Sequence, residues 1–375
     1  MRQFKLLMVE DDPEFVKHSH LLREEYEAEF PICFVVDDVT SLADAMAIIQ
    51  EKEFDGAVVD LKLSSDRVDG TFEGNEIIEQ FTAMVRCPVI VFSANHMNLS
   101  DGARQHVFDV IPRDQGFEKV LRQFHLIQQS GLTEIMASDG MIEGYLNQIY
   151  WDVVAKRIKT WMGYAESGQE TRDAMLRHIL GHLVELIGQD ASCHYPDEAY
   201  LHVFDNKKLK TGQLFNCRES SNPYIVISPA CDLATGKSDY VQFCRIYQHN
   251  EDPLASCIFA VKEAQNAVSI AEDLEAKDKA ERKLASVSSK LYNFTSSKPA
   301  DYLHYIPKRD DFDGGVINFR DIRSIKKGDF MEKFIPLGIQ ISSPFLKDIV
   351  GRFASYYARQ GAPNFEINCL RKQLI

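Results

Sequence analysis

No two of the eight cysteines stand as a CxxC pair; they fall singly at Cys33, Cys87, Cys193, Cys217, Cys231, Cys244, Cys257 and Cys369. That spacing argues against a zinc ribbon or a disulfide framework and fits reduced thiols in a cytoplasmic protein. No apolar run approaches the roughly 18 residues of a membrane span. The opening MRQFKLLMVEDD runs straight into acid and lacks the small-residue cleavage site of a signal peptide. Positive charge is in deficit, with 42 Lys and Arg against 56 Asp and Glu, a net charge of -14. This argues against nucleic acid or a membrane as partner. The basic clusters Lys207, Lys208, Lys210 and Arg320, Arg323, Lys326, Lys327 are small and interspersed. No helix-turn-helix pattern accompanies them. What the chain does have is 375 residues, 45% hydrophobic and 26% charged, enough for two or three soluble globular domains.

Over the first third, short apolar runs alternate with amphipathic stretches, the signature of βαβ units and a parallel sheet. Strands are expected at Phe4 to Val9, Cys33 to Val36, Gly56 to Leu61, Pro88 to Phe92 and Val107 to Ile111. Helices are expected at Pro13 to Tyr26, Leu42 to Glu51 and Phe117 to Gln128. Ligands of such sheets bind beyond the C-terminal strand ends. There the chain places Glu10, Asp11 and Asp12 after the first strand, Asp60 in the third, Ser93 after the fourth, and Pro112 and Arg113 after the fifth. Carboxylates gathered at one sheet edge repel one another unless a cation joins them. Mg²⁺ suits one or two carboxylates plus phosphate oxygens. A carboxylate so placed can act as a nucleophile and form an aspartyl-phosphate, with a hydroxyl and a cation steadying the phosphoryl oxygens.

This constellation, with VEDDP after the first strand, VVDLKL around Asp60 and VIVFSAN around Ser93, resembles the response-regulator receiver family of two-component systems. The resemblance covers about a third of the chain. It implies a flavodoxin-like, doubly wound, five-stranded parallel sheet. It also implies Asp60 as phosphoacceptor, Glu10, Asp11 and Asp60 as Mg²⁺ ligands, and Ser93 and Arg113 as switch residues. Three features depart from the family. Arg113 stands where a lysine before proline is usual and is displaced relative to Pro112. Val110 replaces the aromatic switch residue. The Ser64 to Gly74 loop is long.

The middle segment reads as two helices, Met141 to Tyr164 and Thr171 to Ile187, the second with Met175, Ile179, Leu183 and Leu186 on one stripe. They can pair as a hairpin or across a homodimer. His178 and His182 are four apart, but no acid lies between them and no third ligand is evident, so polar-face or half-buried histidines are the simpler reading. Cys193 and His194 read as incidental.

From about residue 196 short strand-like pieces take over: Leu201 to Phe204, Gln213 to Asn216, Tyr224 to Ser228, Tyr240 to Tyr247, Ser256 to Val261, Tyr302 to Pro307, Gly315 to Asn318 and Ile322 to Ile325. A charged helical run from Glu263 to about Asn293 interrupts them, and Pro344 to Arg359 reads as a final helix. A small closed or SH3-like barrel with a helical insertion at 263–293 is expected. The stretch KTGQLFNCRESSNPYIVISPACDL resembles PemK/MazF-type barrels, some of which cleave RNA with an arginine and a hydroxyl near these strands. Ser228 matches the VIS serine, but Asn222 stands at the arginine position. Cys231 beside Asp232 has no histidine close in sequence and reads as structural.

The domains expected are therefore 1–130, a receiver; 131–195, a helical linker or dimerisation region; and 196–375, a β-barrel-like module. The expected function is phosphoryl acceptance on Asp60 from a partner histidine kinase or phosphotransfer protein. The signal is then relayed to, or the phosphate buffered with, a non-DNA-binding module. Resemblance to phosphorelays of bacterial antiphage defence makes such defence a candidate setting, and a second effector protein is a further candidate partner. The alternative is a phosphorylation-controlled effector whose C-terminal domain cleaves RNA.

Overall fold

In a computed structural model of the chain, residues 2–63, 72–188, 194–251, 253–271, 273–296 and 302–359 are described. Most of the long Ser64 to Gly74 loop, with Cys193 and Cys369, lies outside them. The chain divides into two compact units, Met1–Asp190 and Ala191–Ile375.

The first unit opens with strands β1 (Phe4–Val9), β2 (Phe34–Val39), β3 (Gly56–Val59), β4 (Val89–Ser93) and β5 (Asp109–Pro112). They form one parallel sheet in the order β2-β1-β3-β4-β5, the flavodoxin-like order. Helices α1 (Pro13–Glu29), α2 (Leu42–Glu51), α3 (Glu73–Met84), α4 (Asp101–Arg104) and α5 (Phe117–Gln129) connect the strands or close the domain. Alternation along β1 explains the layering. Phe4, Leu6 and Met8 pack with Tyr26 of α1 and Val120, Leu121 and Phe124 of α5. Leu7 and Val9 pack on the other face with Ala45 of α2 and Ile77, Ile78 and Phe81 of α3. Both faces are covered, which is why these strands read as nearly continuous apolar runs.

The remainder of this unit is helical. Leu132–Met136 forms α6. Met141–Ile149 (α7), a π turn at Tyr150–Val154 and Ala155–Glu166 (α8) run on as one helix, and α9 (Arg172–Gly188) follows.

The second unit holds β6 (Tyr200–His202), β7 (Gln213–Cys217), β8 (Pro223–Val226), β9 (Tyr240–Tyr247), β10 (Leu303–Ile306), β11 (Gly315–Lys326) and β12 (Phe334–Ile341). They form an antiparallel sheet in the order β10-β11-β9-β8-β7-β12-β6. Among the described residues β10 and β6 end this sheet without pairing to each other, so the expected closed barrel is instead an open, curled sheet. Its helices are α10 (Ala230–Thr235), α11 (Leu254–Ser269), α12 (Leu274–Thr295), α13 (Lys327–Lys333) and α14 (Ser343–Tyr357). The faces of the sheet carry separate cores, one reached by Ile349 of α14 and the other by Phe330 of α13.

Three expectations are corrected here. Ser256 to Val261 is not a strand but part of α11. Its apolar run packs Leu254, Cys257 and Ile258 with Leu291 and Phe294 of α12, a contact at helical spacing. The helical run expected from Glu263 is two helices, with α12 capped afresh by Asp273, whose side chain accepts from the Ala276 N–H at 2.7 Å. The pieces Gly315 to Asn318 and Ile322 to Ile325 are one strand, β11, whose pairing with β9 shifts register between Ile317 and Ile322.

Candidate functional site

The parallel register sets the C-terminal ends of β1 and β3 side by side, with Val9 opposite Val59. Asp60 continues this pairing, its N–H donating to the Val9 carbonyl at 3.0 Å. The three acids after β1 then divide their work. Asp12 caps α1, accepting from the Glu14 and Phe15 N–H groups, with Pro13 at the first helical position. Glu10 and Asp11 remain for the sheet edge. Glu10 accepts from the Asp12 N–H at 3.1 Å. Carboxylate oxygens of Glu10, Asp11 and Asp60 all lie within 4.8 Å of one another, and Glu10 and Asp60 are buried.

On the other side of Asp60, α3 begins against the strand end. A Cβ on Gly74 would sit 2.4 Å from the Asp60 carbonyl oxygen, so only glycine permits this approach. Asn75 ties α3 to the loop after β4, donating to the Asn98 carbonyl at 3.1 Å and accepting from the Ser100 N–H at 2.9 Å. Ser93, fully buried at the end of β4, pairs with Pro112 of β5 and accepts from the Asn95 N–H at 3.1 Å.

Arg113 follows β5 directly and turns into the acids. One guanidinium nitrogen donates to Asp60 Oδ2 at 2.9 Å and to Glu10 Oε2. The guanidinium lies 4.5 Å from the Phe15 ring centroid and 5.9 Å from that of Phe92. Arginine suits this position because it stays charged, is weakly hydrated and stacks on aromatic faces. Burial nonetheless pushes the Glu10 carboxyl up to about 7, against the lowering pull of Arg113. No local sequence signal marks the aromatic pair as part of the site: Phe15 lies on the core-facing side of α1 and Phe92 within the apolar run of β4. Val110, half-buried, packs into the core on the α2 and α3 side.

The acids fit a divalent cation. Asp60 Oδ1 is buried without a hydrogen-bond partner, although such groups are ordinarily satisfied. It belongs to a cluster of three carboxylates, the hard oxygen donors that Mg²⁺ takes.

The N-terminal third of the chain is similar to solved receiver domains. The receiver domain (CheY-like) from Methylobacillus flagellatus is 19% identical over 33% of this chain and 99% of its own, with a TM-score of 0.27. The receiver domain of a sensor histidine kinase from Pseudomonas aeruginosa PAO1, with a magnesium ion coordinated in its active-site cleft, is 17% identical over 33% of this chain and 95% of its own, with a TM-score of 0.26. The response regulator TrrA from Thermotoga maritima, in complex with Mg²⁺ and BeF, is 16% identical over 32% and 96%, with a TM-score of 0.26. No family model and no curated protein matches the chain.

The other candidates are dispersed. His178 and His182 are ring neighbours at 4.6 Å, with Trp161 5.8 Å from His178. Among the described residues they belong to no metal-ligating cluster. Exposed Cys231 has its thiol 3.6 Å from Asp232. Ser228 is buried, its hydroxyl accepting from the Gln242 N–H at 2.7 Å to join β8 to β9. Asn222 accepts from Arg245 at 3.2 Å, so β9 brings an arginine to a place where the local sequence has none. His304 is buried with Nδ1 3.7 Å from Asp348. Burial outweighs that carboxylate and pushes the ring down to about 4, so it is neutral at pH 7. No helix among the described residues is long and apolar enough to cross a membrane.

Proposed function

We propose that residues 1–130 of the first unit form a phospho-accepting receiver with Asp60 as its nucleophile. The observation that carries this reading is the unpartnered buried Oδ1 of Asp60 within a three-carboxylate cluster at the strand ends. Glu10, Asp11 and Asp60 would hold Mg²⁺, which when bound neutralises charge on phosphoryl oxygens. The donor is the phosphohistidine of a partner kinase or phosphotransfer protein. A carboxylate oxygen of Asp60 attacks phosphorus, the P–N bond breaks, and the departing imidazole keeps the electron pair and takes up a proton.

Arg113 is the unusual participant. In the resting arrangement it supplies a tethered positive charge between Glu10 and Asp60. The carboxylates must exchange part of that contact for the metal before the transfer. The guanidinium can then turn to the phosphoryl oxygens, for which its donors are suited. The Ser93 hydroxyl, at the neighbouring strand end, donates to the same group.

The protein then relays the phosphoryl signal to its second unit or buffers phosphate, in the cytoplasm, with that unit as a protein-interaction module. A setting in antiphage defence rests on the resemblance alone. The ribonuclease reading has less support, because Ser228 is committed to the backbone of β9. Intact-mass measurement after incubation with a phosphohistidine donor and Mg²⁺ tests the proposal. One added phosphoryl group, absent in Asp60→Asn, is the expected result.

A further inference from the structure

The helices that close the first unit are poorly covered for their composition. α8 and α9 contain no buried residue, although α9 carries eight large aliphatic side chains in its 17 residues. The continuous α7–α8 helix and α9 form a hairpin: α7 packs on α9, and Trp161 meets His178 at 5.8 Å. Met175, His178, Ile179, His182 and Leu186 are half-buried within it.

A second apolar stripe faces solvent. On α9, Leu176, Leu180, Val184 and Ile187 are 48% to 68% exposed, at spacings of four, four and three, one continuous helical ridge. On the other helix Trp151 is 67% exposed, with Ile158 and Met162 following at seven and eleven residues. Trp151 lies in the π turn, where the widened turn shifts the helical phase.

We infer that this hairpin is a homodimerisation element and that its solvent-facing stripe is covered by the same stripe of a second copy, as a four-helix bundle. Three considerations select this occupant. The first is area. Seven side chains, each about half exposed and of roughly 150–200 Å², offer about 600 Å². With their polar flanks this approaches the ~800 Å² that each partner gives a stable interface. The second is shape. The exposed side chains of α9 form a helical ridge, which a two-fold mate covers by ridge-into-groove packing and an isologous contact. The third is charge. Five basic and six acidic residues leave 141–188 at -1 in a chain of -14. Two copies therefore meet here without the repulsion that the rest of the chain brings.

The two tryptophans of the chain, Trp151 and Trp161, both lie in this hairpin, so selectively excited tryptophan fluorescence reports on it alone. The full chain should sediment as a dimer at micromolar concentration and dissociate on dilution, with Trp emission moving to the red and iodide quenching rising together. The double variant Leu180→Glu, Val184→Glu should weaken association by about 100-fold or more while keeping its helical circular dichroism. Because glutamate suits a helix, a monomeric variant of unchanged helicity would tie association to this surface. The milder Leu180→Ala should weaken association less, which guards against a misfolded double variant. A wild-type chain that stays monomeric at 100-fold higher concentration overturns the inference. So does a dimer that both variants leave unchanged, or a monomer whose stripe is covered only by a different protein.

Discussion

Replacing Arg113 by alanine should make the stability of the first unit depend on Mg²⁺. Its guanidinium donates to Glu10 and Asp60, both buried, and without it these two carboxylates lose the positive charge they share beside Asp11. Two charge-assisted hydrogen bonds at about 1.5–3 kcal/mol each set an upper figure of about 3–6 kcal/mol. Part of this is relieved, because Glu10, already pushed up to about 7, moves higher still and takes a proton. The net cost at pH 7 should be about 2–4 kcal/mol, which lowers the midpoint of a unit this size by roughly 5–15 °C. Millimolar Mg²⁺ should restore most of that loss, since the metal takes over the charge that the guanidinium supplied. The same reasoning makes Arg113 a competitor of the metal, so the variant should bind Mg²⁺ about 10-fold more tightly or better. Thermal unfolding in EDTA and in Mg²⁺, with calorimetric titration of the metal, measures both effects. A variant as stable as wild type in EDTA, or one that Mg²⁺ does not rescue, would refute the assigned role of Arg113.

Three further outcomes are expected. Asp11→Ala should raise metal-free stability by about 0.5–1 kcal/mol by thinning the acid cluster, and should abolish the response to Mg²⁺ in the same melts. His304, held neutral by burial with its value lowered from 6.5 to about 4, takes a proton more readily in the unfolded chain. The second unit should therefore lose roughly 3 kcal/mol as pH falls from about 6.5 through 4, and His304→Leu should flatten that slope in acid denaturation. Because Val110 is aliphatic and packed, the switch should be local. Beryllofluoride should change hydrogen exchange in residues 93–130 and 141–164, and a change centred instead on the second unit, with 93–130 silent, would reject that route.

What could be read in the sequence follows from which interactions are local. The parallel strands were legible because runs such as FKLLMV and GAVV are buried on both faces, whereas their doubly wound arrangement came from the family resemblance. The nearness of Glu10, Asp11 and Asp60 followed from parallel strands ending at one edge. The reach of Arg113 into that edge did not, because a flexible side chain is oriented by Phe15 and Phe92, distant in sequence. α3 went unread, since its start is fixed by Gly74 approaching Asp60 rather than by a cap; no side-chain cap is present. Ser256 to Val261 misled for a related reason: a short apolar run fits strand or helix alike until its partner, α12, is known. In the second unit the chain skips between non-adjacent strands, as where β12 lies between β6 and β7, and no local pattern encodes that order.

The most direct test of the central claim is intact-mass analysis of the wild type and Asp60→Asn after exposure to a phosphohistidine donor with Mg²⁺. One phosphoryl group on the wild type, lost on EDTA treatment beforehand and absent from the variant, is the result the account predicts. An equal mass gain on Asp60→Asn, or none on the wild type with its cognate donor, would contradict it.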